Sequence, residues 1–222
     1  MTAIHDLDAL RKCCASVPLF PLPGVVFLPH TLLPLHVFEP RYRALVEDIL
    51  QGDRVVAIPR LDSGWEEEYE ADPALVPICG VGQVMRHQLL PDGRSNMIVL
   101  GLGRMRLAGD RVGERGYRIG QGDLLDDVPY PGGELALRRA HENLKLLAAQ
   151  VVGVHPDLSM PFESLMASEG DPLEFMSKLA HLIFRDPDQR QTFLELDEVE
   201  ARSDILLTTL VEMQSRGGDW GG

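Results

Sequence analysis

Residues 17–38 read VPLFPLPGVVFLPHTLLPLHVF, with proline at positions 18, 21, 23, 29 and 34. Proline lacks a backbone donor and locks φ, so no helix runs through this stretch. The apolar residues between the prolines predict short extended segments instead: Val17–Phe20, Val25–Leu28 and Leu32–Phe38. Such segments suit the wall of a small twisted barrel. The pattern then changes. Proline is tolerated in a first helical turn, and PRYRALVEDILQ places Tyr42, Leu45, Val46, Ile49 and Leu50 on one stripe ahead of Gly52.

Extended segments resume downstream, at Arg54–Leu61, Ile78–Leu90, Ser95–Leu107 and Gly116–Leu125. Pro91-Asp92-Gly93 predicts a hairpin turn between the second and third of these. Glycines 80, 82, 101 and 103 fall inside the strands, where they mark bulges or tight curvature. Between the strands, residues 62–73 predict an acidic loop, mobile if nothing covers it. After Pro129–Gly133 the apolar period lengthens from 2 to 3.6, predicting a helix over 134–152 whose inner face carries Leu137, Ala140, Leu144, Leu147, Ala148 and Val151. A short helix over 161–168 follows, and Met160, Met166 and Met176 read as core filler. Asp171-Pro172 and Asp186-Pro187 each open a further helix, and Asp197–Glu200 caps the last. The expected fold class is α+β. A PUA-like small β-barrel occupies 17–128 and a helical subdomain 129–216, after a helix or tail over 1–16 and before a disordered tail at 217–222.

Composition narrows the function. Apolar content of 45% and charged content of 25% are those of a globular chain able to bury a core. A net charge of −13 opposes the phosphate neutralisation that drives nucleic-acid binding, and equally opposes docking on anionic membranes. Cys13, Cys14 and Cys79 show neither a CxxC spacing nor the density of a disulfide scaffold. No apolar run approaches the length of a membrane span, and the expected location is cytoplasmic.

Catalytic and cofactor signatures fail residue by residue. None of Lys12, Lys145 and Lys178 follows a glycine, as a phosphate-cradling loop requires. His141-Glu142 begins like a zinc-protease helix, yet position 145 is lysine. Ser177 and Lys178 are neighbours on a predicted helix, so their side chains diverge and form no nucleophile–base pair. Histidines 5, 30, 36, 87, 141, 155 and 181 show no ligand spacing. No catalytic residue, metal ligand or small-molecule cofactor is expected.

The segments PLFPL (18–22), VVFLP (25–29) and PLHVFE (34–39), followed by a helix beginning at Arg41-Tyr42, resemble the opening of the Lon protease N-terminal (substrate-binding) domain family. Gly80-Val81-Gly82, the run LPDGRSNMIVLGLGRMRL (90–107) and the closing stretch DPDQRQTFLELDEVEARSDILLTTL (186–210) extend the similarity over residues 17 to 213. The resemblance implies a PUA-like barrel with a helical subdomain, as in free-standing bacterial members that lack the ATPase and peptidase domains. It also implies binding of polypeptide segments or a protein partner, in proteolysis or protein quality control. An adaptor that docks on a separate ATPase or protease subunit is the alternative, and nucleic-acid binding follows by fold analogy alone. Peptide-binding candidates are Phe27, Phe38, Glu39, Arg41, Tyr42, Gly103 and Arg104. Their competing assignment is structural, with Phe27 and Phe38 as core and Glu39–Arg41 as a local ion pair.

Overall fold

The computed structural model describes residues 6–68, 72–154, 158–166 and 170–216. The chain divides into two compact units, Met1–Leu125 and Asp126–Gly222.

The first unit carries a six-stranded mixed sheet. Its strands are β1 (Val17–Leu19), β2 (Leu32–Val37), β3 (Val55–Ile58), β4 (Ile78–Leu89), β5 (Ser95–Val112) and β6 (Arg118–Leu125). Neighbours run β2-β5-β4-β3-β1-β6, and β6 pairs again with the far half of β5. The α+β class therefore holds. The pairings return to β5, but β1 is three residues long and meets β3 through one parallel pair, Leu19↔Ala57, so the sheet is not a clean barrel. Two helices pack on it. Helix α1 (Leu7–Cys14) opens where Asp6 Oδ1 accepts from the Asp8 N–H at 2.9 Å. Helix α2 (Pro40–Gln51) has proline in its first turn and buries Tyr42, Leu45, Val46 and Ile49, the stripe expected from the sequence. In β3, Val56 and Ile58 join the cluster under α2, while Val55 and Ala57 join the cluster with Leu10 and Cys14 of α1. Both faces of that strand are covered, which is why it reads as an unbroken apolar run.

Two expectations in this unit are corrected. Val25–Leu28 is not a strand, although Val26, Phe27 and Leu28 are all buried. Its carbonyls press against glycines: a Cβ built on Gly80 would stand 2.0 Å from Phe27 O, and one on Gly101 2.3 Å from Leu28 O. The glycines of the middle strands thus admit a crossing backbone, in addition to marking the register shift between Val81 and Gly82. The acidic segment is also not loop throughout. It holds the short helix α3 (Trp65–Glu68), with an Asp62 N–H bond to Ala74 O of 2.9 Å. Residues 69–71 lie outside the described residues.

The second unit is helical: α4 (Gly133–Val154), α5 (Ser159–Met166), α6 (Pro172–Ile183), α7 (Pro187–Glu195) and α8 (Val199–Arg216). The Asp-Pro signals act as read. Asp171 and Asp186 each accept from the N–H two residues on, at 2.8 and 2.9 Å, with proline at the first helical position. Residues 126–128 belong to this unit because the Val128 N–H donates to Asp197 O and Val128 O accepts from Val199 N. Ala140, Leu144, Ala148 and Val151 are buried as expected, and Leu137 and Leu147 are half-buried. Met176 is core filler, but Met160 is 79% exposed and is not. The expected disordered tail, 217–222, lies outside the described residues.

His141 on α4 gives this unit a pH dependence. Its ring meets Phe175 edge-on at 4.7 Å, and its buried Nε2 finds no hydrogen-bond partner among the described residues. Burial, then Lys145, holds its pKa below the ordinary 6.5, against the opposing pull of Glu142 and Asp171. The unfolded chain therefore binds the proton more readily. The contribution of neutral His141 is fully present above pH 6.5 and is lost as pH falls through the lower folded value. Urea unfolding from about pH 8 to pH 5 is expected to show wild type losing more stability on acidification than His141→Phe. Parallel curves would refute the assignment.

Candidate peptide-binding site

Among the described residues, strand β2 is paired on one side only, with β5, from Leu32↔Leu100 to Val37↔Ser95. Proline is accommodated on such an edge, and Pro34 sits there. Side chains alternate along β2, so Leu32, Pro34 and His36 share the outward face, above half-buried Ile98 and Leu100 of β5. Leu32 is 58% exposed, and Phe38, just past the strand, is 60% exposed. The Phe38 ring lies 6.2 Å from that of His36, whose Nδ1 is 2.7 Å from Asn96 Oδ1. An apolar rim beside an open strand edge is the combination that accepts an extended peptide as an added strand.

Glu39, Arg41 and Tyr42 follow directly, at the entry to α2. Arg41 Nε donates to Glu39 Oε2 at 3.0 Å, and its guanidinium lies 4.8 Å from the Tyr42 ring centre. Tyr42 is buried and stacks on Phe20 at 4.2 Å. Arg41 and Tyr42, with Arg118 and Pro73, line a cleft of about 10 Å³, room for about one water. This trio braces the start of the helix.

The remaining candidates are not at this face. Phe27 is 2% exposed and fills the α2-side core, so its structural assignment is the right one. Gly103 stands opposite Val81 of β4, and a Cβ there would meet Leu124 and Leu10 side chains. Arg104 is 3% exposed, between Gly80 and Leu125. Along β5, Gly103 is eight positions from the Ser95 that faces Val37, about 26 Å of strand. The candidates therefore fall into two groups, and Phe38 alone of the seven is broadly exposed. Sequence reasoning missed Leu32, whose alternation with Leu33 carried the signal.

Lys178 Nζ is ion-paired to Glu174 at 2.5 Å, and Ser177 is buried. Burial pushes the Cys14 thiol up to about 11 and raises Cys79 and Cys13 as well, away from the reactive thiolate form. Among the described residues no three His, Cys, Asp or Glu converge as metal ligands, and no helix is long and apolar enough to cross a membrane.

An α+β module whose mixed sheet leaves one apolar-rimmed strand edge unpaired among the described residues is the class that this geometry defines. Residues 16–212 match the family described as the ATP-dependent protease La (LON) substrate-binding domain, and the chain belongs to that family. It is 28% identical over 197 residues to Lon protease 2 of Myxococcus xanthus, covering 87% of this chain and 23% of that protein. It is 28% identical over 199 residues to Lon protease of Anaeromyxobacter dehalogenans, covering 88% and 23%. The chain thus spans about a quarter of the length of these relatives. Among solved structures, the Lon N-terminal domain protein from Xanthomonas campestris superposes with a TM-score of 0.58 at 25% identity, covering 87% of this chain and 97% of that one. The N-terminal domain of Mycobacterium avium complex Lon protease does so with 0.66 at 13% identity, covering 89% and 98%, and shares the fold.

Proposed function

We propose that this chain binds exposed polypeptide segments without itself making or breaking covalent bonds, in the service of proteolysis or protein quality control. The observation that carries this reading is the open edge of β2, flanked by exposed Leu32 and Phe38. Family membership supports it. A segment in extended form bonds to the strand edge through its backbone, so affinity depends little on sequence. Its apolar side chains cover the exposed rim, which sets a preference for unfolded, apolar segments over folded surfaces.

Titration of a labelled unfolded protein is expected to saturate, and Phe38→Ser with Leu32→Ser is expected to weaken it at least about fivefold. The same substitutions should shift stability by less than about 0.5 kcal/mol, since both side chains are largely in water. Unchanged affinity in the double variant, or no saturation at high micromolar concentration, would end this reading.

The adaptor alternative has its own observation on the helical unit. Leu146 and Val211, 64% and 52% exposed, stand one turn before Gln150 and Gln214, which bond to each other at 3.1 Å. A folded partner docking there would co-purify as one stoichiometric protein, where a peptide binder brings down a mixture.

A further inference from the structure

Away from β2, the end of α1, the end of α2 and the start of β3 line a pocket of about 460 Å³ that opens to solvent. That volume lies within the usual range for ligand pockets. Its floor includes the buried apolar side chains of Val17, Ile49 and Val55. Its rim carries Lys12, Asp53 and Arg54. The 53–54 turn is fixed in place: Gln83 Nε2 donates to Asp53 O at 2.9 Å and the Arg54 N–H to Ile49 O at 3.1 Å. Arg54 adopts φ +62, a left-handed backbone that side-chain-bearing residues rarely take and that concentrates at functional sites.

Lys12 stands in the last turn of α1. Lys12 and Arg54 form no ion pair among the described residues. Asp53 Oδ2 receives only a weak bond from the Cys13 thiol, at 3.6 Å. Asp48, also on the wall, is already held by Arg115 and by the Tyr117 hydroxyl at 2.7 Å. The free rim thus has two cations against one carboxylate, a balance that matches a single negative charge. The apolar floor, in turn, has nothing to offer a bare anion.

We propose that this pocket binds the carboxy-terminal residue of a polypeptide. The terminal carboxylate lies between Lys12 and Arg54, an apolar terminal side chain covers Val17, Ile49 and Val55, and Asp53 accepts a peptide N–H. The site is separate from the β2 edge and rests on the polypeptide-binding reading only for the class of ligand.

The full chain tests it with a short labelled peptide ending in leucine, prepared with a free or an amidated carboxy-terminus. Anisotropy should show the amide binding at least about tenfold more weakly, because its neutral end forfeits the charge-assisted bonds. Lys12→Gln with Arg54→Gln should impose a similar loss, with the thermal midpoint checked for unchanged folding. Residual binding of the amidated peptide, which keeps the backbone and side chains that a strand edge takes, reports on β2 and so separates failure here from failure there. Maleimide labelling of the wild type supplies a readout that needs no variant: Cys14 and Cys79 are buried and Cys13 is half-buried, so bound peptide should protect Cys13. Equal binding of the two peptides, undiminished binding by the double variant, or absence of Cys13 protection would overturn the proposal. So would equal protection by hexanoate, which has the acid and the apolar chain but no N–H for Asp53.

Discussion

Gly80→Ala is expected to cost the sheet-bearing unit more than about 3 kcal/mol, or to prevent its folding. The added methyl would stand 2.0 Å from Phe27 O and 2.9 Å from Phe27 C, inside any permissible contact distance. Neither side can give way. Gly80 is locked in β4 between Ile58 of β3 and Arg104 of β5. The opposing carbonyl belongs to a segment whose own side chains, Val26, Phe27 and Leu28, are buried. Gly109→Ala is the control, since nothing lies within 4 Å of its Cβ position. That variant should stay within about 0.5 kcal/mol of wild type. Denaturant unfolding of both variants decides the matter. A loss below about 1 kcal/mol at Gly80 would show that the crossing backbone is not held where the structure places it.

Arg202→Met is expected to cost the helical unit about 3 kcal/mol. Arg202 is 6% exposed on α8, and it ties two segments that no regular element connects. Its Nε donates to Leu196 O at 2.8 Å, holding the α7–α8 turn, and its terminal nitrogen to Asp127 Oδ1 at 2.5 Å. Methionine keeps most of the buried stem but supplies no donor, so the variant isolates the loss of these bonds. The Asp127 side chain is 32% exposed, so water partly compensates it and the cost falls at the low end for a broken buried pair. A double-mutant cycle with Asp127→Asn should be markedly less than additive. Full additivity would mean that the two residues act independently and that Arg202 works through Leu196 alone.

Much of the fold was legible because its signals are local. The stripe from Tyr42 to Ile49 buries as read, since a 3.6-residue period leaves one face for the core whatever that core contains. The Asp-Pro starts of α6 and α7 were legible for the same reason, because a cap is a contact within three residues. Val25–Leu28 was misread because apolar content between prolines marks burial and not pairing. Whether such a segment joins a ladder or crosses one depends on Gly80 and Gly101, more than fifty residues downstream. Phe27 and Phe38 show the same limit at the candidate site. Both follow valine in a proline-broken stretch, yet one is 2% exposed and the other 60%.

The amino-acid order by itself determined the α+β class, the helix starts, the hairpin at Pro91–Gly93 and the family, since each rests on neighbours along the chain or on an ordered set of motifs. Tertiary structure alone decided that β2 has an open edge, that Phe38 and Leu32 border it, and that Lys12 and Arg54 share one rim. Those facts depend on which distant segments leave a strand or a charge uncovered, and burial is a property of the assembled neighbours, which no single stretch of sequence contains.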